Sequence, residues 1–184
     1  MLGTGKKRRK AVEQAELYLA SMFTGLAGPE GRPPPYQAFA DPYVAGFLEV
    51  LTTHAVATVY RYFMPGTDAV RSIMGEAIDR IWPGEGYGAT ARHGLTGYAK
   101  PAHALHAQYQ RGREAGVGHV RTLFISDGIA RNEPHRMFRD YLKAHYLEAR
   151  WRVPAVMGGP RGNRTGGLAI GTAFDKRQGA RPPT

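Results

Sequence analysis

The sequence predicts an all-α protein whose helical part is a single domain of about five helices. Three observations indicate this: apolar residues recur at helical spacing, cap and stop residues bound those segments, and strand-compatible runs are few and short. The chain has 184 residues, 42% of them hydrophobic, which is enough for a buried core. We divide it into a basic tail at 1–10, a helical domain at 11–151 and a Gly/Arg-rich arm at 152–184.

The first two helices have clear sequence boundaries. An apolar stripe predicts the first helix over 11–27, where a Gly-Pro pair ends it. After a proline-rich connector, Asp41 is the predicted N-cap of the second helix, which Pro42 begins and which runs to about Met64. This helix is the most apolar stretch of the chain, but it contains Glu49. We therefore predict a buried central helix and no membrane span.

The third helix is predicted over 68–82, with Thr67 as its cap, and has the clearest amphipathic pattern in the chain. Its apolar face consists of Val70, Ile73, Met74, Ala77, Ile78 and Ile81. Residues 83–97 are rich in glycine, and this composition predicts a flexible loop.

Two more helices are expected after this loop. The fourth begins near Pro101; residues 117–125 are ambiguous between helix and strand, and we favour helix. The fifth runs from about Glu133 to Trp151. Its inward-facing side chains are predicted to be Phe138, Tyr141, Leu142 and His145. The arm at 152–184 contains two strand-compatible runs around a Gly/Arg-rich segment, which is equally compatible with a β-hairpin and with a disordered tail.

The net charge of +10 is concentrated in two parts of the sequence. Residues 6–10 form an unbroken basic run, 11–99 carry about −4, and 100–184 carry about +9. Clustered Lys and Arg side chains are typical of proteins that contact phosphate groups, because such contacts release counterions. We therefore predict nucleic acid, either DNA or RNA, as the partner. The predicted contact residues are Lys6, Lys7, Arg8, Arg9, Lys10, Arg136, Lys143, Arg150, Arg161 and Arg164.

A short segment, Phe-Arg-Asp-Tyr-Leu-Lys-Ala-His-Tyr at 138–146, resembles the signature of HEPN-type ribonucleases, an all-helical family. The resemblance implies metal-independent RNA cleavage at a homodimer seam. It also implies that His145 acts in acid–base chemistry and that Arg139 stabilises the scissile phosphate. The alternative interpretation is a charged surface position for Arg139 and a half-buried structural His145.

Metal and cofactor chemistry have little support in the sequence. His93, His103 and His106 could be drawn as a metal site, but no carboxylate stands at matching spacing, so we predict no metal. The glycine patterns at 3–6 and 84–89 lack the preceding strand that a nucleotide-binding loop requires, so we predict no cofactor. The chain has no cysteine, which excludes disulfides and favours a cytoplasmic location.

The leading interpretation is a non-enzymatic subunit that binds nucleic acid or assembles a nucleoprotein, within a protein complex or as a homo-oligomer. The ribonuclease is the first alternative. The second is a helical adaptor or structural subunit whose basic ends bind an acidic protein partner.

Overall fold

The computed structural model describes residues 4–24, 26, 34–125 and 133–147, and the predicted arm at 152–184 lies outside them. Every regular element within these ranges is helical, which confirms the mostly helical fold class. The helices are α1 (Thr4–Phe23), α2 (Tyr36–Phe39), α3 (Pro42–Tyr60), α4 (Thr67–Ile81), α5 (Tyr87–Tyr98), α6 (His106–Ile125) and α7 (Glu133–Leu142). Helix α7 continues as a π-helical turn over Lys143–Leu147.

Helix α3 lies at the centre and packs against α1, α4, α5 and α6. Phe47, Leu48 and Leu51 on this helix are fully buried, which confirms the prediction of a buried central helix. The cap is also confirmed, because Asp41 Oδ1 accepts a hydrogen bond from the Val44 amide at 3.0 Å. The helix ends at Tyr60 rather than near Met64, since Arg61 turns the backbone to a φ of 57°.

Helices α3 and α6 touch through glycine. A Cβ on Gly46 of α3 would lie 2.2 Å from the Tyr109 carbonyl oxygen, and one on Gly112 of α6 would lie 2.0 Å from the Tyr43 carbonyl oxygen. A Cβ on Gly116, one turn after Gly112, would lie 3.1 Å from the Phe47 carbonyl oxygen. Backbone atoms cannot move aside as side chains do, so this close approach requires glycine.

The amphipathic stripe predicted for α4 is confirmed. Five of its members are buried and Ile81 is partly buried: Val70, Ile73, Met74, Ala77 and Ile78 are 5% exposed or less. The cap differs from the prediction, because Gly66 is the N-cap and Thr67 is already helical.

The predicted flexible loop at 83–97 is wrong, because most of it forms α5. Tyr87, Ala91 and Leu95 lie four residues apart and are buried, so a helical stripe exists between the glycines. Gly88 allows a close helix contact, since a Cβ there would lie 2.0 Å from the Gly75 carbonyl oxygen of α4. The glycines here permit packing between helices, which composition alone does not distinguish from flexibility.

Other helix ends also differ from the expected ones. Helix α1 begins at Thr4, so the basic run expected in a tail lies inside a helix. Helix α6 begins at His106 rather than near Pro101, and it extends to Ile125, which confirms helix at 117–125. Within the described residues, regular α-helix in α7 stops at Leu142.

The inward-facing set predicted for the fifth helix is only partly right. Phe138 and Leu142 are buried and Tyr141 is partly buried, but His145 is exposed. The expected periodicity of 3.6 residues breaks at the π-helical turn, which rotates His145 away from the apolar stripe.

Asp41 also holds the C-terminal helix in place. Its Oδ2 accepts hydrogen bonds from the hydroxyls of Tyr141 at 2.9 Å and Tyr146 at 2.6 Å. The Tyr98 hydroxyl of α5 donates to the neighbouring Ala40 carbonyl oxygen at 2.6 Å. One buried carboxylate therefore caps α3 and also anchors the π-helical end of α7.

We predict that Gly112→Ala lowers the free energy of unfolding by about 1–3 kcal/mol or more, because the new Cβ meets backbone. Gly5→Ala is the matched control: nothing lies within 4 Å of a Cβ there, so α1 should become about 0.5–1 kcal/mol more stable. Denaturant unfolding measures both. Equal effects of the two substitutions would contradict the proposed α3–α6 contact.

Candidate functional site

The basic run forms the first two turns of α1. Arg8 is bound within the fold: one of its guanidinium nitrogens lies 2.8 Å from Glu76 Oε2 and 3.2 Å from Ser72 Oγ, both on α4. Arg9 lies 3.6 Å from Glu13 on the same helix. Lys6 and Lys10 are exposed, and no carboxylate of the described residues pairs with them.

These cations stand at an electrostatically unfavourable place. The N-terminus of a helix carries a partial positive charge, and carboxylates normally stabilise its first turn. Helix α1 has no acidic residue in its first turn and has Lys6 and Lys7 near its start instead. The helix dipole and the lysine side chains therefore both contribute positive potential at the N-terminal end of α1.

The loop between α3 and α4 lies at the same end of the bundle. The Lys7 ammonium is 6.0 Å from the centre of the Tyr60 ring, which brings the start of α1 to the end of α3. Arg61 follows directly and is exposed. We call this region the basic end and define it as residues 4–10 of α1, the loop 61–66 and residues 67–72 of α4.

A surface groove of about 370 Å³ adjoins the basic end between α4 and α5. Its lining residues are Asp68, Arg71, Ser72, Ala89, Arg92, His93 and Thr96. Ser72 belongs both to this groove and to the Arg8 contact, so the groove and the start of α1 share one surface.

A buried network fixes one wall of the groove. Arg71 Nε donates to Glu49 Oε1 at 3.1 Å, and the Tyr109 hydroxyl donates to the other Glu49 oxygen. Glu49 is only 5% exposed, so its charge is compensated by Arg71 and by hydrogen bonds rather than by water. The Arg71 guanidinium also lies 3.7 Å from the Asp68 carboxylate, so both of these acidic residues compensate its charge.

Arg92 is the groove cation that has no such partner. It is exposed, and no carboxylate among the described residues forms an ion pair with it. Its aliphatic carbons lie over Gly75, where a Cβ would come within 2.7 Å of Cδ. This contact holds the stem of Arg92 against α4. The guanidinium is then available to an anion in the groove, with His93 beside it.

Burial, followed by the hydrogen bond to Glu49 and the charge of that carboxylate, raises the pKa of Tyr109 to about 12. Burial likewise raises the pKa of Tyr141 to about 12, with the nearby Asp41 charge as the second cause. Both hydroxyls therefore stay protonated at neutral pH and act as donors to buried carboxylates. Neither is poised for proton transfer near pH 7.

The structure separates the basic residues that the sequence grouped together. The Phe138 ring of α7 lies 6.3 Å from the Phe23 ring, at the C-terminal end of α1. That end is roughly 20 Å along the helix from Arg8. Arg136 and Lys143 on α7 are exposed, and Arg136 pairs with Glu133 at 3.7 Å. Arg150, Arg161 and Arg164 lie outside the described residues.

The two residues of the ribonuclease hypothesis have different neighbours. Arg139 lies beside His135, whose pKa is lowered mainly by burial and also by the charges of His119 and Arg139. Arg139 Nε is buried and has no hydrogen-bond partner within the described part of the chain. His145 stacks on the Tyr141 ring at 4.1 Å between centroids, with Nδ1 2.9 Å from the Tyr141 carbonyl oxygen. The hypothesis stays a prediction.

The histidines considered for a metal have local contacts. His106 Nδ1 lies 2.8 Å from the Tyr98 carbonyl oxygen, and His103 Nδ1 accepts from the Leu105 amide at 3.1 Å. The part of the chain that the structure describes contains no cluster of three or more His, Asp or Glu side chains suited to a metal ion.

Sequence reasoning missed two parts of this site: the exposed loop 61–66 with Arg61, and Arg92. A signal for the loop was present, because Tyr62, Phe63 and Met64 directly precede a Pro-Gly stop and were assigned to a helix. Arg92 was missed because its surroundings were taken as a flexible loop. The Glu49–Arg71 pair joins positions far apart in the sequence, which no local pattern predicts.

Comparison with protein-family models, with curated protein sequences and with solved structures gives no match at a significant level. Within the ranges that the structure describes, no helix has the length and apolar character needed to cross a membrane.

We predict that the protein loses stability as pH rises from about 10 to 12. Tyr109 ionises near pH 10 when unfolded but near pH 12 when folded. Its contribution to stability is therefore complete below pH 10 and is lost as the pH rises from 10 to 12. Tyr109→Phe should reduce the slope of unfolding free energy against pH by at most about 1.4 kcal/mol per pH unit. Denaturant unfolding at several alkaline pH values measures the slope. An unchanged slope would contradict the buried Tyr109–Glu49 contact.

Proposed function

We propose that this protein binds nucleic acid, contacting the phosphate backbone at the basic end, and that it works as a binding or nucleoprotein-assembly subunit. The observation that carries the proposal is a group of cations for which the described residues provide no acidic partner: Lys6, Lys10 and Arg61 at the basic end, and Arg92 in the adjoining groove. In this proposal the helices at 4–147 act as one domain.

The balance of stability supports this proposal. Lys6 and Lys10 bind no described carboxylate, and Lys6 also opposes the dipole of α1 from its first turn, so the two side chains stabilise the isolated fold little. A phosphate placed beside them would be attracted by both side chains and by the dipole at once. The arrangement of charges therefore stabilises the complex with an anionic partner more than it stabilises the free protein.

Charge spacing along α1 supports a backbone contact rather than base reading. Lys6 and Lys10 lie one helical turn apart and so point from the same face. Lysine is a flexible point charge that attracts phosphate without a fixed hydrogen-bond geometry. Binding by such a face depends on charge and should be only weakly sequence-specific.

We expect the double variant Lys6→Gln and Lys10→Gln to bind DNA and RNA more weakly. Two lost phosphate contacts should reduce the slope of log affinity against log salt by about 1.8 for duplex DNA and about 1.4 for single strands. Helix α1 should become slightly more stable at the same time, because the Lys6 charge, which opposes its dipole in the first turn, is gone. Fluorescence anisotropy across salt concentrations and thermal unfolding measure the two effects.

The matched control is Arg111→Gln with Arg121→Gln, which removes two exposed cations from α6, a helix that packs on α3 and α7. Its salt slope should equal that of the wild type. If the Lys6/Lys10 variant keeps the wild-type slope, α1 is not part of the interface and the proposal is wrong.

The same incubations test the ribonuclease hypothesis. We expect single-stranded RNA to stay intact in the presence of EDTA, as resolved on a denaturing gel. RNA cleavage that His145→Ala and Arg139→Ala both abolish, with RNA binding and folding retained, would place the enzyme first.

A further inference from the structure

We propose that the nucleic acid is single-stranded and that its bases stack on Tyr62 and Phe63. This inference rests on the proposed function and names the form of nucleic acid that the basic end accepts. The two rings occupy consecutive positions of the loop 61–66 and are 89% and 82% exposed.

Such exposure sets the two rings apart from the other aromatic side chains of the described chain. Tyr36 is the next most exposed aromatic residue at 51%, and its ring lies 6.2 Å from the Tyr87 ring. Neither Tyr62 nor Phe63 contacts another ring in the part of the chain that the structure describes. Two large apolar rings therefore give up the stabilisation that burial would provide, and both faces are open to a ligand.

The backbone of the loop is restrained at both ends. The Arg61 amide donates to the Ala57 carbonyl oxygen at 2.9 Å, and the Phe63 amide donates to the Tyr60 carbonyl oxygen at 3.4 Å. Pro65 then fixes φ ahead of the N-cap of α4. A short turn anchored at both ends therefore leaves the loop backbone with little conformational freedom to lose on binding.

Cations lie beside the loop. Arg61 is the first residue of the loop. The Lys7 ammonium lies over the ring of Tyr60, the residue that directly precedes Arg61. Lys10 is one turn further along α1. Aromatic platforms beside a line of cations are the arrangement by which proteins bind single strands, since each base has a face that can stack.

The rings also indicate why a duplex should bind less well. Bases in a duplex are already stacked on each other, so their faces are closed to a protein side chain. A duplex could still contact Lys6 and Lys10 through its phosphates. Tyr62 and Phe63 would then contribute little to the affinity for a duplex. The difference in affinity between single strands and duplex therefore measures what the two rings contribute.

A lipid surface fits the same end less well. Membrane-surface helices place an apolar face outward, but the apolar face of α1 is turned into the core: Ala11, Val12, Ala15 and Leu19 are all 0% exposed. Only the loop would remain to insert, with Phe63 and Met64 as its apolar side chains. The observations therefore favour nucleic acid, and vesicle binding becomes an outcome of the test.

The test compares the wild type with the double variant Tyr62→Ala and Phe63→Ala in the full chain. The probes are labelled oligouridine and oligodeoxythymidine of about 20 nucleotides and a mixed-sequence duplex of about 20 base pairs, long enough for several stacked bases. We expect the variant to lose about 5- to 150-fold in affinity for the single strands for each stacked base, and less than about twofold for the duplex. Because both rings are exposed, the variant should fold as the wild type does.

Two control variants accompany it. Tyr62→Phe with Phe63→Tyr keeps both rings and should keep single-strand affinity. Met137→Ala removes an apolar side chain from α7 that is 56% exposed and should also leave affinity unchanged. Loss of binding in either control would overturn the assignment to stacking.

Three results would overturn the inference, and they differ in what they leave standing. Equal affinity of the alanine variant and the wild type for single strands would refute stacking while leaving phosphate binding intact. Absence of wild-type binding to every oligonucleotide at low salt would refute the proposed function itself. Loss of binding to phosphatidylserine vesicles in the alanine variant, with unchanged single-strand affinity, would assign the loop to a membrane surface.

Discussion

The close contact of α3 with α6 is the constraint on which the rest of the structure depends. Because Gly46 and Gly112 let the two backbones touch, Tyr109 reaches across to the buried Glu49 carboxylate. Glu49 in turn holds Arg71 at 3.1 Å, and Arg71 lines the groove beside the basic end. The glycine contact between α3 and α6 is therefore linked to the groove surface through a chain of hydrogen bonds.

The buried carboxylates of Glu49 and Asp41 connect different helices of the bundle. Glu49 joins α3, α4 and α6 with one cation and one hydroxyl, whereas Asp41 joins α3 and α7 with an amide and two tyrosine hydroxyls. An arginine partner compensates charge, but hydroxyl donors only solvate it. Burial, together with these carboxylates, raises the pKa of Tyr109 and Tyr141, so both networks depend on the pH staying below the range where tyrosines ionise.

The sequence predicted the features that local chemistry determines and missed those that depend on distant contacts. Asp41 as a cap and the stripe of α4 follow from rules that span a few residues, and both are confirmed. Helix α5 was missed because five glycines between 83 and 97 look like a loop, while Gly88 in fact makes room for the α4 backbone. Of the candidate site, the sequence identified the basic run but not Arg61 or Arg92. Their significance appears only when α1, α4 and α5 are placed side by side.

The basic end combines three features that each cost the isolated protein stability. Cations oppose the dipole of α1, Arg61 adopts a backbone conformation that non-glycine residues rarely take, and two aromatic rings lie in water. Strain and exposure in one place are typical of sites that act on something outside the fold. By contrast, the interior places small residues where backbones meet and gives its buried carboxylates donors. The unfavourable features are grouped at one end of α1, beside a groove whose Arg92 has no acidic partner among the described residues. A polyanion with exposed bases would both compensate the charge and cover the rings.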